Sequence, residues 1–206
     1  MRYSFQSGLP LIYPGAQCRI RDAGAVALTF DDGPSDSTDQ LLDVLDANAI
    51  KATFFLSGQA VEENTNGARA IYERGHTLGS HGYSHSDLAR STSDIVNADL
   101  QRSLAVIESA TGVRPKFYRP PYGRLNPVHR DLPASQGCSF VLWTSLPGDF
   151  DLKVSLDELR RRISKIHGGD IVVLHDHAHA VDRTTACVTF FSDMLRRKEL
   201  RSLTLS

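Results

Sequence analysis

Apolar runs rich in β-branched and aromatic residues recur along the chain, each bounded by polar or turn-forming residues. They are AVALTF (25–30), KATFFLS (51–57), HTLGSH (76–81), KFYR (116–119), CSFVLW (138–143), DIVVLH (170–175) and RSLTL (201–205). Side chains of this kind suit a pleated, half-buried surface, so the runs predict seven strands. Between most of them the apolar positions change period. Leu41, Leu45 and Ala49, and then Val96, Leu100, Leu104 and Ile107, recur at helical spacing and put apolar side chains on one face. Ser155 with Glu158 three residues later has the form of a capping box opening a helix over 155–167. Gly112 and Gly168 stand where C-caps are expected. Pro127 and Pro133 interrupt the segment 123–136 and limit it to a short helix or a loop.

Strand and helix alternation implies a mostly parallel sheet, either open and doubly wound or closed into a barrel. In both, reactive side chains gather at the carboxyl ends of the strands, and Asp31, Asp32, His81, Arg119, Asp149 and His175 fall there. The length of 206 residues favours one sizeable core. An extension over 1–23, packing on the domain, and the domain itself over 24–206 are expected.

Hydrophobic residues at 41% and charged residues at 23% are ordinary for a globular chain, and no apolar run approaches the roughly 20 residues of a membrane span. A net charge of −1 supplies no global field for nucleic acid, and the run LRRRISK (159–165) reads as the solvated face of a helix. Cys18, Cys138 and Cys187 are odd in number and widely spaced, which predicts buried thiols. The opening MRYSFQSGLPLIYPGAQC has no signal-peptide core, because Pro10 and Pro14 leave only a short apolar piece between them. Read literally, that places the chain in the cytoplasm; a periplasmic or secreted protein trimmed of its signal looks the same.

The chemistry begins at TFDDGP. Neighbouring side chains on a strand point to opposite faces, so Asp31 and Asp32 address one point only if the backbone turns, as Gly33 and Pro34 allow. The two can then divide the work, one binding a cation and the other accepting a proton; alternatively one is a helix cap or turn former. His81 and His85 in GSHGYSHSDL have the spacing of a zinc-ligand pair, which is also a common spacing for surface or structural histidines. With a strand-end carboxylate they make a three-ligand set that leaves a position open for water. His76 fits packing or a local hydrogen bond. Arg119 in FYRPPYG offers a planar fork to a carboxylate beside a backbone stiffened by Pro120 and Pro121; on this motif alone a surface arginine next to a rigid turn fits better. His175 ends DIVVLHDH where it can donate a proton or serve as a core histidine, and His177 and His179 read as a solvated loop.

In this order the motifs resemble the polysaccharide deacetylases with NodB homology, carbohydrate esterase family four, over about residues 24–205. TFDDGP matches the first motif, HGYSH the second and RPPYG the third, while WTSLPGDF looks like a divergent fourth and VLHD like the fifth. The resemblance implies a distorted, incomplete β/α barrel of about seven mostly parallel strands with outer helices. It implies that Asp32, His81 and His85 bind a divalent metal, zinc first, with cobalt or nickel as alternatives. Asp31 becomes the general base and His175 the general acid. Arg119 orients Asp31, and Asp149 pairs with Arg119 or tunes His175. Tyr122 offers its backbone N–H to the oxyanion, and Pro121 and Leu174 line an acetyl pocket. The implied activity is removal of acetyl groups from N-acetylated oligo- or polysaccharides of chitin or peptidoglycan type. The alternatives are an O-deacetylase resembling acetylxylan esterases and a non-catalytic carbohydrate-binding domain. Three positions depart from the family pattern: Gly82 replaces a hydroxyl residue, Leu146 an acidic or hydroxyl residue, and Phe150 a tryptophan.

Overall fold

The computed structural model describes residue 13 and residues 15–206. All seven expected runs form strands: β1 (Ala25–Asp32), β2 (Thr53–Leu56), β3 (Thr77–Ser80), β4 (Phe117–Tyr118), β5 (Ser139–Phe140), β6 (Ile171–His175) and β7 (Arg201–Leu203). Among the described residues seven α-helices accompany them: α1 (Thr38–Ala47), α2 (Gly58–Glu63), α3 (Thr65–Glu73), α4 (Ser93–Thr111), α5 (Leu132–Ser135), α6 (Leu156–Ile163) and α7 (Val181–Lys198). The strands pair in parallel in the order β5-β4-β3-β2-β1-β6, with β7 also against β1.

Past β5 the chain runs on irregularly to meet β6. Val173 N donates to Ser145 O at 2.9 Å, and Thr144 N donates to Ile171 O at 3.0 Å. This narrow strip joins the two ends of the sheet, giving the distorted, incomplete barrel that the resemblance implies.

Alternation along the strands divides the core in two. Val26, Leu28 and Phe30 of β1 pack with Phe54, Val172 and Leu174 against Leu41 and Leu45 of α1 and Val188 and Phe191 of α7. Ala27, Phe55, Tyr118, Val141, Leu142, Ile171 and Val173 fill the interior of the barrel. Each fully buried large apolar side chain stabilises the fold by about 1.5–3 kcal/mol relative to exposure, so both layers are needed. The three cysteines are free and buried, as expected.

The helix signals hold with three changes, the first being that α1 ends at Ala47, so that Ala49, at φ 54, lies beyond the helix on which its spacing placed it. Gly112 closes α4 in the left-handed region at φ 74, and Ser155 Oγ accepts from Glu158 N at 3.2 Å to open α6. The Glu158 carboxylate, however, turns to Arg161 and Arg162 at 2.6 and 2.7 Å. Those pairs hold its carboxyl down at about 2 and account for part of the arginine run. Gly168 is not a C-cap: α6 ends at Ile163, and a Cβ on Gly168 would lie 1.7 Å from Ala23 O, so close chain approach explains this glycine. The segment 123–136 forms a 3-10 turn at Pro127–His129 and the single helical turn of α5.

Most of the extension 1–23 lies outside the described residues. Within it, Tyr13 Oη donates to Leu125 O at 2.6 Å, and Arg19 pairs with the buried Asp170 at 2.9 Å. Among the described residues no helix is long and apolar enough to cross a membrane.

Candidate active site and metal centre

Asp31, Asp32, His81, His85, Arg119, Asp149 and His175 converge at the carboxyl ends of β1, β3, β4 and β6. β1 carries Thr29 and Asp31 on its inner face, and beyond them the backbone turns. The turn starts at Asp32 itself, at φ 80, one residue before the glycine expected to supply it. Gly33 has a different duty: a Cβ there would stand 2.3 Å from the Asp176 carboxylate. Asp32, His85 (φ 51) and Tyr122 (φ 60) all adopt the left-handed region that side chains disfavour. Such conformations cost of order 1–3 kcal/mol each and persist where the surroundings over-determine them, often at functional sites.

The two carboxylates have different partners. Asp31 Oδ1 accepts from Arg119 Nη1 at 2.6 Å, and the same nitrogen donates to Thr29 Oγ1 at 2.8 Å. The guanidinium is fully buried, 4.0 Å above the Phe55 ring, with Nη2 donating to Leu142 O at 3.3 Å. Burial presses the Arg119 pKa downward while Asp31 opposes that shift. Asp32 Oδ1 is buried 2.8 Å from His85 Nε2 and 3.5 Å from His81 Nε2, with no N–H aimed at it in hydrogen-bond geometry.

That orphaned oxygen is the test of whether the site suits a cation. His81 Nδ1 donates to Arg119 O at 2.7 Å, which leaves the Nε2 lone pair aimed at the cluster. Burial lowers the His81 pKa and favours the neutral, ligating ring. The ligand atoms of Asp32, His81 and His85 all lie within 4.8 Å of one another. One carboxylate oxygen and two imidazole nitrogens, converging with an unsatisfied acceptor among them, fit a divalent ion of the zinc type.

His175 is held from the opposite side. Its Nδ1 stands 3.0 Å from Asp149 Oδ1, while Asp149 Oδ2 accepts from His175 N at 2.8 Å and from Thr184 Oγ1 at 2.9 Å. Of the two partners considered for Asp149, the structure brings it to His175. Burial alone would lower the His175 pKa, but Asp149 prevails and raises it to about 9. The Phe150 ring meets His175 edge-on at 4.6 Å, and Leu146 packs against the inner core.

Tyr122 is half exposed in the 3-10 turn Pro121–Gly123, its ring 4.9 Å from His85, and Pro121 is buried beside it. Leu174 does not reach this cleft. Strand alternation turns it outward into the helix-facing core, and Val173, two residues before His175, shares the inner face instead. His76 is structural as expected: its Nδ1 accepts from Ala52 N at 3.1 Å, and burial lowers its pKa to about 4.

Three residues at the site escaped the sequence reading. Asp99 of α4 accepts from Tyr83 N at 2.8 Å, Ser84 N at 3.2 Å and Ser84 Oγ at 2.9 Å. It thus ties down the loop carrying both histidines, where residue 82 has no hydroxyl. Asp176 accepts from Ser35 Oγ at 2.7 Å and Thr38 Oγ1 at 2.6 Å, pinning the end of β6 to the loop after β1. His177, expected in a solvated loop, places Nε2 2.7 Å from Asp32 Oδ2.

The parallel β/α half-barrel is an architecture that known relatives share. Residues 19–141 match the family model described as polysaccharide deacetylase, and the chain belongs to that family. It is 34% identical over 163 residues to a peptidoglycan-N-acetylglucosamine deacetylase of Listeria monocytogenes, covering 78% of this chain and 33% of that protein. A family 4 carbohydrate esterase from Streptomyces lividans superposes with a TM-score of 0.83 at 32% identity, over 90% of this chain and 94% of the other. A family 4 pseudoenzyme from Bacillus anthracis superposes with a TM-score of 0.81 at 25% identity, over 91% and 66%. The match spans only a quarter to a half of the length of the first curated relatives.

Proposed function

We propose that the chain is a divalent-metal-dependent deacetylase that removes acetyl groups from N-acetylated oligo- or polysaccharides of peptidoglycan or chitin type. Because the same fold occurs in a pseudoenzyme, side chains rather than fold carry the argument. The observation that carries it is the pairing of Asp31 with the buried Arg119 at 2.6 Å beside the orphaned Asp32 oxygen, with the Asp149-bound His175 nearby.

In this reading Asp32, His81 and His85 hold the cation, most simply zinc, with cobalt or nickel as substitutes. When bound, it supplies Lewis acidity that polarises an acyl carbonyl and acidifies water. Arg119 fixes Asp31 by one oxygen and balances its charge, leaving Oδ2, 3.9 Å from His81 Nε2, to accept the proton of the attacking water. The backbone N–H of Tyr122 donates to the oxyanion that develops as the C–O bond forms. His175, kept protonated near neutrality by Asp149, donates to the departing sugar amine, which leaves poorly as an anion. Pro121 helps enclose the acetyl methyl group, and Val173 takes the position first assigned to Leu174.

Similarity to the Streptomyces carbohydrate esterase supports a second reading, O-deacetylation, because attack on the acyl carbon is the same and only the leaving group differs. Acetate release from chitooligosaccharides, peptidoglycan fragments and acetylxylan, with and without added zinc, tests both. Zinc-dependent release from an N-acetylated substrate is expected. Release from acetylxylan alone favours the esterase, and no release from a zinc-loaded protein favours a carbohydrate-binding domain.

A further inference from the structure

The two oxygens of the Asp32 carboxylate have different neighbours. Oδ1 faces His85 and His81 at 2.8 and 3.5 Å, whereas Oδ2 lies 2.7 Å from His177 Nε2. His177 belongs to none of the motifs and follows the end of β6 by two residues. Its position is nevertheless built. Asp176 beside it is buried, bonded to Ser35 and Thr38, and its N–H donates to Asp31 O at 3.0 Å. The backbone carrying His177 is therefore fastened to the segment carrying Asp32. The His177 ring also lies parallel to that of His175, at an interplanar angle of 4°, and touches that of His179 with centroids 4.8 Å apart.

We propose that His177 is a positioning residue of the metal centre, donating from Nε2 to Asp32 Oδ2 so that Oδ1 alone is presented as the ligand atom. The inference rests on the metal site proposed above. A carboxylate bound through one oxygen can pivot about its Cβ–Cγ bond and offer the second oxygen, which changes both distance and coordination number. A donor on the distal oxygen limits that rotation, and such outer partners are worth 10- to 100-fold in metal affinity. His177 is the donor placed to do this. Its side chain is 38% exposed, so the contact contributes little to folding, which separates a positioning role from a structural one.

The test is zinc affinity, measured on the full chain by competition with a chromophoric chelator, for the parent, His177→Phe and His177→Gln. Phe keeps the ring and removes the donor; Gln restores an N–H donor near the position of Nε2. His177→Phe should bind zinc 10- to 100-fold more weakly, with the metal-free unfolding midpoint close to the parent's, and His177→Gln should recover most of the loss. If His177→Phe fails to fold by circular dichroism, His177→Ala replaces it with the same expectation. Parent-like affinity in the donor-less variant overturns the proposal, as does equal weakening in Phe and Gln. A parent chain that binds no zinc overturns the proposed metal site as well, whereas a zinc-binding parent with unaffected variants overturns only the role of His177.

Discussion

The two faces of β1 are built from the same strand and obey opposite rules. Outward, Val26, Leu28 and Phe30 pack into the helix-facing apolar core, with Phe30 stacked on Phe54 at 4.9 Å. Inward, Ala27 gives way to Thr29 and Asp31, which share the buried Arg119. The outer face stabilises the fold by removing apolar surface from water. The inner face takes charge out of water and relies on pairing, an arrangement that stabilises little but is costly to break. The proposed catalytic and metal-binding groups sit where the second rule applies, and the outer layer holds the strand ends in register beneath them.

Breaking the inner pair should have the largest effect. In Arg119→Met, Asp31 loses its counter-charge in a buried place, so chemical denaturation should show a loss of about 3–5 kcal/mol, and turnover should fall with it. The outer face should respond differently. Leu28→Ala, one position from Thr29, should cost about 2–5 kcal/mol of stability, yet turnover per folded molecule and zinc content should stay at the parent's level. Equal damage to turnover from both variants would erase the distinction between the faces.

A subtler probe is pH. The His175 pKa is raised from 6.5 to about 9 in the folded chain, so its pairing with Asp149 stabilises fully below about pH 6.5. That contribution is lost as pH rises through about 9. Metal-free protein should therefore lose stability across this window, and Asp149→Asn should flatten the decline and move the alkaline limb of the pH–rate profile downward. The smallest expected effect is at Asp99. Asp99→Ala removes the anchor of the histidine loop and should weaken zinc binding roughly 10-fold with little change in the unfolding midpoint, read by chelator competition and thermal melting.

Much of the inner face was legible in sequence because strand ends and motifs coincide. The seven apolar runs fixed where β1, β3, β4 and β6 stop, and the chemistry-bearing residues stood at those stops. What escaped depended on alternation or on distant partners. Leu174 adjoins His175 in sequence, but a period of two assigns the inner face to Val173, an inference available from counting alone. Asp99 looks like any acid on an amphipathic helix, and only the packing of α4 against the histidine loop gives it a role. His177 sits in a histidine-rich stretch that reads as solvated; its approach to Asp32 is set by Asp176 reaching Ser35 and Thr38, contacts that span more than 130 residues of chain. Gly168 misled because a close approach to Ala23 and a helix cap both call for glycine.

In the proposed mechanism the turn at Asp32 divides two adjacent carboxylates between metal and proton. Asp31→Asn and Asp32→Asn, each isosteric, test it most directly when zinc content and deacetylation rate are measured on the same preparations. Asp32→Asn should lose zinc and activity together, with partial rescue by added metal. Asp31→Asn should keep its zinc and lose roughly 10²–10⁴-fold in turnover, as for a missing general base. Zinc lost from Asp31→Asn but retained in Asp32→Asn would reverse the assignment, and full activity in both would contradict it.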